Sequence, residues 1–583
     1  MLRESEAYFF GGLREGAVRI RRITALLIAL FLAFSQSPAF SGISEVDALA
    51  PKAAGVSRIS FIDNQDGYGN TSYINGVTQQ SGSMQVTSCT GPREGDCAKA
   101  SSLMMNFIVP PCQANSQVSD MCVKALSFTN SSGSIENAQL LYEVATPKFA
   151  PDLISQTPAG GGISVWQGPS TNNSSGEKTY GVRIGIRYNI DYNPQTFQPG
   201  IAYVFGFEAE VIPVTFKSGE QYEASTEITG AIDKECAWQE KGKCAVRQEF
   251  GQADPISLTF QMDNRITGWL SGRMSDTEIE LKQLSPTTNL LTVIGTPIDV
   301  PMGYADLTEA ELLKEPDALK TFTSTCPAGV ARESCSVLSR PQADRLNWQW
   351  GPYFMDRQEA STKLSAQDFV AFEGKYLNMG YGKIFQKYLK SYPVRNSQWK
   401  LLGLDRSGFR EGNWPSCLTD KTQLNGVVTT NAMLNDVSPA RFEDGSLIYD
   451  VAGAHEGYDG KVFKGTYDLV MNSKVARCLY KFTNAPIKAS ISILSLDGGV
   501  QNIATELVNE RNGWLSLSAK NFTFSAPTIK ITLFQDPAPS SGKKTGAANP
   551  SAQVKRTIIC VKGKLTKKVT AVKPTCPKGY KKK

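Results

Sequence analysis

The chain has 583 residues, of which 61 are Lys or Arg and 55 are Asp or Glu, and its length allows about three or four domains. The charge is unevenly distributed. Residues 537–583 contain thirteen Lys or Arg and no acidic residue, whereas residues 42–536 have a net charge of −9. This pattern argues against a nucleic-acid partner, which would favour a basic protein throughout, and favours a module that contacts an anionic surface.

Residues 1–41 have the pattern of a secretory signal peptide. Three arginines between residues 19 and 22 precede a twelve-residue apolar run, which is shorter than the roughly 18 residues of a membrane-spanning helix. Small residues at Ala39 and Ser41 predict cleavage after Ser41, so that the mature chain starts at Gly42, with Ala50 as the second choice of mature start. We therefore expect a secreted, extracellular protein that associates with the cell envelope and has no transmembrane segment after cleavage.

All twelve cysteines follow the signal peptide, which favours disulfides formed outside the cytosol. Spacing alone does not fix the connectivity, but pairing of neighbours predicts Cys89–Cys97, Cys112–Cys122, Cys236–Cys244, Cys326–Cys335, Cys417–Cys478 and Cys560–Cys576. Structural zinc is the weaker alternative, because the chain has no Cys-x-x-Cys motif and a single histidine. We predict no metal and no cofactor.

Residues 42–305 are predicted to form an N-terminal β-sandwich region of one or two domains. Between Tyr180 and Tyr192, apolar residues alternate with Gly, Arg, Asn and Asp, which is typical of a half-buried antiparallel strand. A second alternation predicts that Tyr203, Phe205 and Phe207 share one face with Ala209 and Val211. A third runs from Ile256 to Met262. Together these strands predict two packed sheets.

Residues 306–400 are predicted to form a mixed helical and aromatic-rich segment. Thr308 and Glu311 form a capping-box pattern that predicts a short helix, and residues 365–368 predict a second helix start. In the run from residue 347 to 354, Trp348 and Trp350 would project from one face of an extended chain, near Tyr353. These aromatic rings could bind a sugar, but packing in a core is the more common use of such residues.

The C-terminal part is predicted to contain a β domain, a linker and a tail. Short apolar runs between Gly/Asn turns indicate strands in residues 401–535, and residues 536–556 are rich in Pro, Ser, Gly and Ala. The tail, residues 557–583, is expected to be a disulfide-closed basic hairpin. Its predicted anion-binding residues are Lys562, Lys564, Lys567, Lys568, Lys573, Lys578, Lys581, Lys582 and Lys583.

The tail motif Thr557-Ile-Ile-Cys-Val-Lys-Gly-Lys564 and the lysine-rich end resemble a recurrent C-terminal segment of secreted actinobacterial proteins. Residues 466–480 and 512–524 are similar to an uncharacterised domain that precedes such tails. The resemblance covers about the last third of the chain. It implies a surface location and carries no known activity.

Catalytic motifs are weak in this sequence. His455 lies between glycines in a predicted exposed turn, and no Gly-x-Ser-x-Gly motif supplies a nucleophile. The acidic loop at residues 63–70 lacks the spacing of an EF-hand calcium site, so we interpret it as an ordinary turn. Two carboxylates would suffice for a glycosidase, but a sequence does not fix their separation.

The fold expected from the sequence is mainly β, with several antiparallel β-sandwich domains, a minor helical segment and a small basic hairpin. The expected function is non-catalytic: a surface-associated binding or structural protein, adhesive or glycan-binding, whose partner is an anionic cell-wall polymer or surface glycan. The alternative is a secreted carbohydrate-active hydrolase that uses two carboxylates. A cleft with two facing carboxyl groups would favour the hydrolase, whereas flat sheet faces with exposed aromatic rings would favour binding.

Overall fold

The structure is a computed structural model of the chain. It describes residues 56–62, 69–80, 83–169, 176–191, 200–224, 236–251, 254–312, 314, 353–354, 368–372, 385–391, 395–403, 415–435, 440–494, 500–502, 506–524, 528–535, 556–562, 565–571, 575–576 and 580–582. The chain divides into two compact units, Met1–Gln535 and Asp536–Lys583. The predicted signal peptide lies outside the described residues.

The first part of the chain contains strands β1 (Val56–Ile62), β2 (Tyr73–Gln80), β3 (Ser83–Ser88), β4 (Ser102–Ile108), β5 (Cys122–Thr129), β6 (Ile135–Asn137), β7 (Gln139–Glu143), β8 (Ser164–Gln167), β9 (Thr179–Asp191), β10 (Tyr203–Ser218), β11 (Cys236–Glu240) and β12 (Lys243–Arg247). The middle part contains β13 (Ile256–Asp263), β14 (Gly268–Arg273), β15 (Ser275–Gln283), β16 (Thr288–Thr296), β17 (Ile298–Asp299), β18 (Gly303–Thr308), β19 (Tyr353–Phe354), β20 (Asp368–Phe372), β21 (Lys390–Ser391), β22 (Ser397–Gln398) and β23 (Lys400–Gly403).

The last part contains β24 (Leu424–Thr430), β25 (Leu434–Asn435), β26 (Arg441–Glu443), β27 (Ser446–Ala452), β28 (Lys464–Asn472), β29 (Lys488–Leu494), β30 (Val500–Asn502), β31 (Glu506–Arg511), β32 (Trp514–Thr523), β33 (Thr528–Phe534), β34 (Arg556–Lys562), β35 (Leu565–Ala571) and β36 (Lys581–Lys582). The helices are α1 (Glu309–Leu312) and α2 (Ser473–Tyr480), and short 3-10 turns occur at Gly95–Lys99 and Gln386–Tyr388. The fold is therefore mainly β, as the sequence predicts.

A 15-stranded sheet organises the larger unit. Its main order is β3-β2-β4-β9-β10-β23-β14-β24-β28-β32-β31, and two short hairpins, β7-β8 and β11-β12, pair with β9 and β10. All but one of these pairings are antiparallel, the exception being β14 with β24. Strands from the predicted 42–305 and 401–535 regions thus belong to one sheet, because β23 and β24 flank β14.

Two hydrophobic cores lie on opposite sides of this sheet. Leu270 and Val427 point into the first core, which the five-stranded sheet β15-β16-β13-β5-β6 covers. Their neighbours Trp269 and Val428 point into the second core, which strands β27, β33 and β29 cover. The period-2 alternation of strand side chains therefore lets one sheet serve two sandwiches.

Strand β9 shows how the predicted alternation is used. Tyr180, Tyr188 and the isoleucines between them are fully buried in the first core, as are Leu258 and Phe260 of β13. The opposite side of β9 is not uniformly solvated, however. Gly181 and Arg183 are buried there, whereas Arg187 and Asn189 are only half-buried.

The buried half of that side contains a charge network. Arg183 donates to Glu208 at 3.0 Å and to Glu210 at 2.6 Å, and all three side chains are at least 97 % buried. Arg247 pairs with Glu210 at 2.7 Å, and Lys400 lies 3.5 Å from Glu208. Because buried charges are stable only when they are paired, these contacts fix the register of β9, β10, β12 and β23.

The predicted capping box is confirmed. The backbone N–H of Glu311 donates to the Thr308 hydroxyl at 3.3 Å, and the Glu311 carboxylate accepts the Thr308 N–H at 2.8 Å. The second predicted helix start is wrong at its last residue, because Asp368 begins β20, which pairs in parallel with β1. Residue 368 is extended because it pairs with a strand that is distant in the sequence, and local helix signals contain no information about such pairing.

Helix α2 has the end signals expected of a stable short helix. The Asn472 side chain accepts the Lys474 N–H at 3.0 Å, and Lys481 ends the helix with a φ of 56°. Cys478 on this helix forms a disulfide with Cys417.

Four predicted disulfides are confirmed: Cys89–Cys97, Cys112–Cys122, Cys236–Cys244 and Cys417–Cys478. Cys576 is also disulfide-bonded. Cys326 and Cys335 lie outside the described residues.

Within the described part of the chain, no helix combines the length and apolar character needed to cross a membrane. The smaller unit contains a three-stranded sheet of order β35-β34-β36, in which the predicted hairpin is joined by a third strand.

Candidate functional site

A partly exposed surface of the large sheet is the outward side of β2, β4, β9 and the start of β10. We call this surface the open face. It exists because Met105, Phe107, Tyr188 and Ile190 point into the first core, so the alternate residues of β4 and β9 point away from it. The same alternation that fills the core therefore determines which side chains are presented outward.

Strand register places two rows of side chains across the open face. In the first row, Asn75 pairs with Met104, Met104 with Asn189, and Asn189 with Tyr203. In the second row, Tyr73 pairs with Asn106, and Asn106 with Arg187. Directly opposed strand residues lie about 4.5–5.5 Å apart, so the side chains of each row are neighbours, although Asn75 and Asn106 are themselves buried.

A β-bulge brings two aromatic rings to this surface. The pairing of β10 with β9 shifts between Val204 and Gly206, so Val204 and Phe207 both point into the core. Tyr203 and Phe205 are consequently 43 % and 42 % exposed. The predicted common face of Tyr203, Phe205 and Phe207 is wrong for this reason. The sequence does contain one indication of this bulge, Gly206, because a glycine inside a strand often marks a bulge.

A loop along the edge of β10 extends the exposed apolar surface. The Ala202 N–H donates to the Ser155 carbonyl at 2.9 Å, which holds residues 153–156 beside the start of β10. Leu153, Ile154 and Ile201 are 89 %, 67 % and 60 % exposed.

Arg265 binds this loop to the strands beneath the open face. Its guanidinium donates to the Gln156 carbonyl at 2.6 Å, to the Ala202 carbonyl and to the buried Asp263 carboxylate. Asp263 in turn accepts a 3.1 Å bond from the Tyr188 hydroxyl. The position of the exposed loop is therefore set by the core strand β9.

Two amide oxygens beneath the open face are buried without a hydrogen-bond partner among the described residues. Asn106 donates to the Thr71 carbonyl at 2.9 Å, but among the described residues its own side-chain oxygen has no partner. The side-chain oxygen of Asn189 is also buried and has no partner there. Burial raises the pKa of Tyr73, and the nearby Arg187 opposes that change, so the phenol stays a neutral donor.

This combination is suited to a neutral, polyhydroxylated ligand. Aromatic rings and a methionine offer apolar surface for the C–H groups of a sugar ring, while the phenol hydroxyls of Tyr73 and Tyr203 can exchange hydrogen bonds with its hydroxyl groups. The face contains no exposed carboxylate pair among its described side chains. It can bind and orient a ligand, but it has no obvious acid and base with which to cleave one.

A second candidate is a cleft of about 100 Å³ between β15 and strands β28, β31 and β32. Asp276, Glu278 and Glu280 line it from β15, and Asp468 and Trp514 line its opposite wall. Asp468 accepts hydrogen bonds from the Ser518 hydroxyl and, at 3.3 Å, from the Thr277 N–H. Asp276 is paired with Lys520.

Among the carboxyl groups that line this cleft, Asp468 has the pKa that is shifted most. Burial raises its pKa to about 6, and the Asp276 carboxylate adds to this effect, whereas the bond from Ser518 opposes it. A carboxyl with this pKa could act as a general acid near neutral pH. The carboxylates of Asp468 and Asp276 are, however, already engaged: Asp468 accepts hydrogen bonds from Ser518 and Thr277, and Asp276 is paired with Lys520.

The structure describes only some of the site residues predicted from the sequence. Trp348 and Trp350 lie outside the described residues, and Tyr353 begins β19. His455 is exposed in a turn, as expected. In the tail, Lys562 ends β34, Lys567 and Lys568 lie in β35, and Lys581 and Lys582 form the exposed strand β36; the four remaining predicted lysines, Lys564, Lys573, Lys578 and Lys583, lie outside the described residues.

Comparison with known proteins gives no further guide to this site: no protein-family model, curated protein or solved structure matches the chain.

Proposed function

We propose that this is a secreted, non-catalytic binding protein of the cell envelope whose open face holds an uncharged glycan. The observation that carries the proposal is the row Met104, Asn189 and Tyr203, in which the exposed side chains of Met104 and Tyr203 flank the half-buried Asn189. Phe205 extends this platform because of the bulge. A shallow face of this kind suits one side of an extended polysaccharide.

The test uses the purified protein and an array of neutral oligosaccharides. Tyr203→Ala and Phe205→Ala should each weaken binding about fivefold, since aromatic contacts of this kind contribute on the order of 1 kcal/mol. Tyr458→Ala is the matched control, because Tyr458 is 42 % exposed in a loop near residue 460. Binding that is absent, or that the three variants weaken equally, contradicts the proposal.

The second part of the proposal is that the basic tail retains the protein on an anionic wall polymer or an acidic surface glycan. Its support is the charge distribution: thirteen basic and no acidic residues in residues 537–583, after a body of net charge −9. The exposed Lys581 and Lys582 are available for such contacts. The open face would then select a ligand that the tail keeps nearby.

A hydrolase is the second candidate function, and the acidic cleft favours it. With a pKa of about 6, Asp468 would donate a proton to a leaving oxygen, and Asp276 would be the second carboxylate. Release of reducing ends from polysaccharide by the wild type, lost in Asp468→Asn and in Asp276→Asn, would support the hydrolase. The absence of any such release favours the binding role.

A further inference from the structure

Strand β3 ends the 15-stranded sheet, and its composition is unusual for such a position. Its sequence, Ser-Met-Gln-Val-Thr-Ser, contains no charged residue and no proline. Its side chains from Gln85 to Ser88 are exposed, and Val86 is 60 % exposed. In the part of the chain that the structure describes, β3 pairs with β2 alone.

Hydrogen bonding fixes which backbone groups of β3 point outward. The Cys89 N–H donates to the Ile74 carbonyl at 2.9 Å, in the register that also pairs Val86 with Val77. In an antiparallel ladder only alternate residues bond to a given neighbour. Residues 85, 87 and 89 therefore bond to β2, and residues 84, 86 and 88 present their N–H and carbonyl groups to the outside.

The opposite end of the same sheet is protected. Strand β31 has the charged residues Glu506, Glu510 and Arg511, and Glu510 accepts two bonds from Arg477, at 2.6 and 2.8 Å. Charged residues on edge strands prevent further pairing. Strand β3 lacks this protection, although the Cys89–Cys97 disulfide fixes the residue that follows it.

We propose that β3 pairs with β3 of a second copy of this chain. An antiparallel pairing about a two-fold axis at Val86 would oppose Val86 to Val86 of the second copy and residue 84 to residue 88. The three outward-pointing residues of each strand would then form up to about six hydrogen bonds. No charged side chains would meet, because β3 has none.

A two-fold pairing also explains why an unprotected edge is tolerated. It covers the same edge on both copies, so the assembly that forms through β3 is closed. The two open faces would become one continuous surface, since Val86 and Asn75 lie on the same side of the sheet as Met104. Two glycan sites would thereby act together, but the pairing does not depend on glycan binding.

The experiment measures the mass of the purified protein by sedimentation over a wide range of concentration. We expect a concentration-dependent dimer for the wild type. Val86→Lys and Val86→Glu should each raise the dissociation constant at least about tenfold, because like charges would lie directly opposite one another across the axis. An equimolar mixture of the two variants should recover a dimer containing one copy of each.

Leu153→Lys is the matched control, since Leu153 is 89 % exposed and lies in a loop beside β10, away from β3. It should dimerise like the wild type. A wild type that stays monomeric at all concentrations, including one that instead accepts an extended peptide, overturns the proposal. So does a dimer that neither Val86 substitution weakens, or a mixture of the charged variants that stays monomeric.

Discussion

The indole of Trp238 lies against Gly181, and a Cβ atom at position 181 would be 2.6 Å from the ring. Trp238 packs with Val165 and Val214 in a small separate core. Its ring therefore covers β9 at Gly181, on the side of the strand that faces away from the first core. The ring can pack this closely only because residue 181 has no side chain.

Gly181→Ala should lower the free energy of unfolding by about 1–3 kcal/mol, because the ring cannot move without disturbing its own core. Denaturant unfolding of the purified variant measures this. Gly91→Ala is the control, since the atoms nearest to its Cβ belong to the flexible side chain of Glu94. Equal stability of both variants would show that Trp238 is free to shift.

Removing Arg183 should be more costly than removing Arg247. Arg183→Met leaves the buried Glu208 and Glu210 with one cation less, and breaking such a network typically costs about 3–5 kcal/mol. The Arg247 side chain is 17 % exposed and contacts only Glu210 of the pair, so Arg247→Met should cost less. Comparison of the two variants by urea unfolding tests this order, and a reversed order would contradict it.

Asp468 should make the stability of the protein decrease as the pH rises. Burial raises its pKa from 3.8 to about 6, so the folded state holds the proton more tightly than the unfolded state. The stabilisation from this group is complete below about pH 4 and is lost as the pH rises to about 6. The difference can reach about 3 kcal/mol, because one pKa unit corresponds to about 1.4 kcal/mol.

Asp468→Asn isolates this effect, because the amide does not titrate. The free energy of unfolding of Asp468→Asn minus that of the wild type should therefore increase between pH 4 and pH 7, because only the wild type loses stability. Glu280→Gln, at an exposed position of the same cleft, is the control for the loss of one carboxylate there. A constant difference between Asp468→Asn and the wild type over this range would mean that Asp468 is ionised in the folded protein.

The sequence predicts the parts of this fold that depend on local pattern. Alternation identifies β9 and β13, and the spacing of Thr308 and Glu311 identifies the start of α1. The open face depends on a bulge at one residue of β10, which reverses the side to which Tyr203 and Phe205 point. The cleft brings Asp276 and Asp468 together through packing of strands almost 200 residues apart, and no local pattern contains that information.

Deleting residues 537–583 should release the protein from the cell envelope. Thirteen positive charges in this segment would bind an anionic polymer mainly through exposed contacts, whose range falls from about 8 Å at physiological ionic strength to about 3 Å at 1 M salt. High salt should therefore elute the full chain, and fractionation of cells that secrete either form measures retention. If the shortened chain is retained as firmly as the full chain and salt releases neither, the lysines only solvate the terminus. Retention that is lost in Tyr203→Ala but not in the shortened chain would instead assign anchoring to the open face.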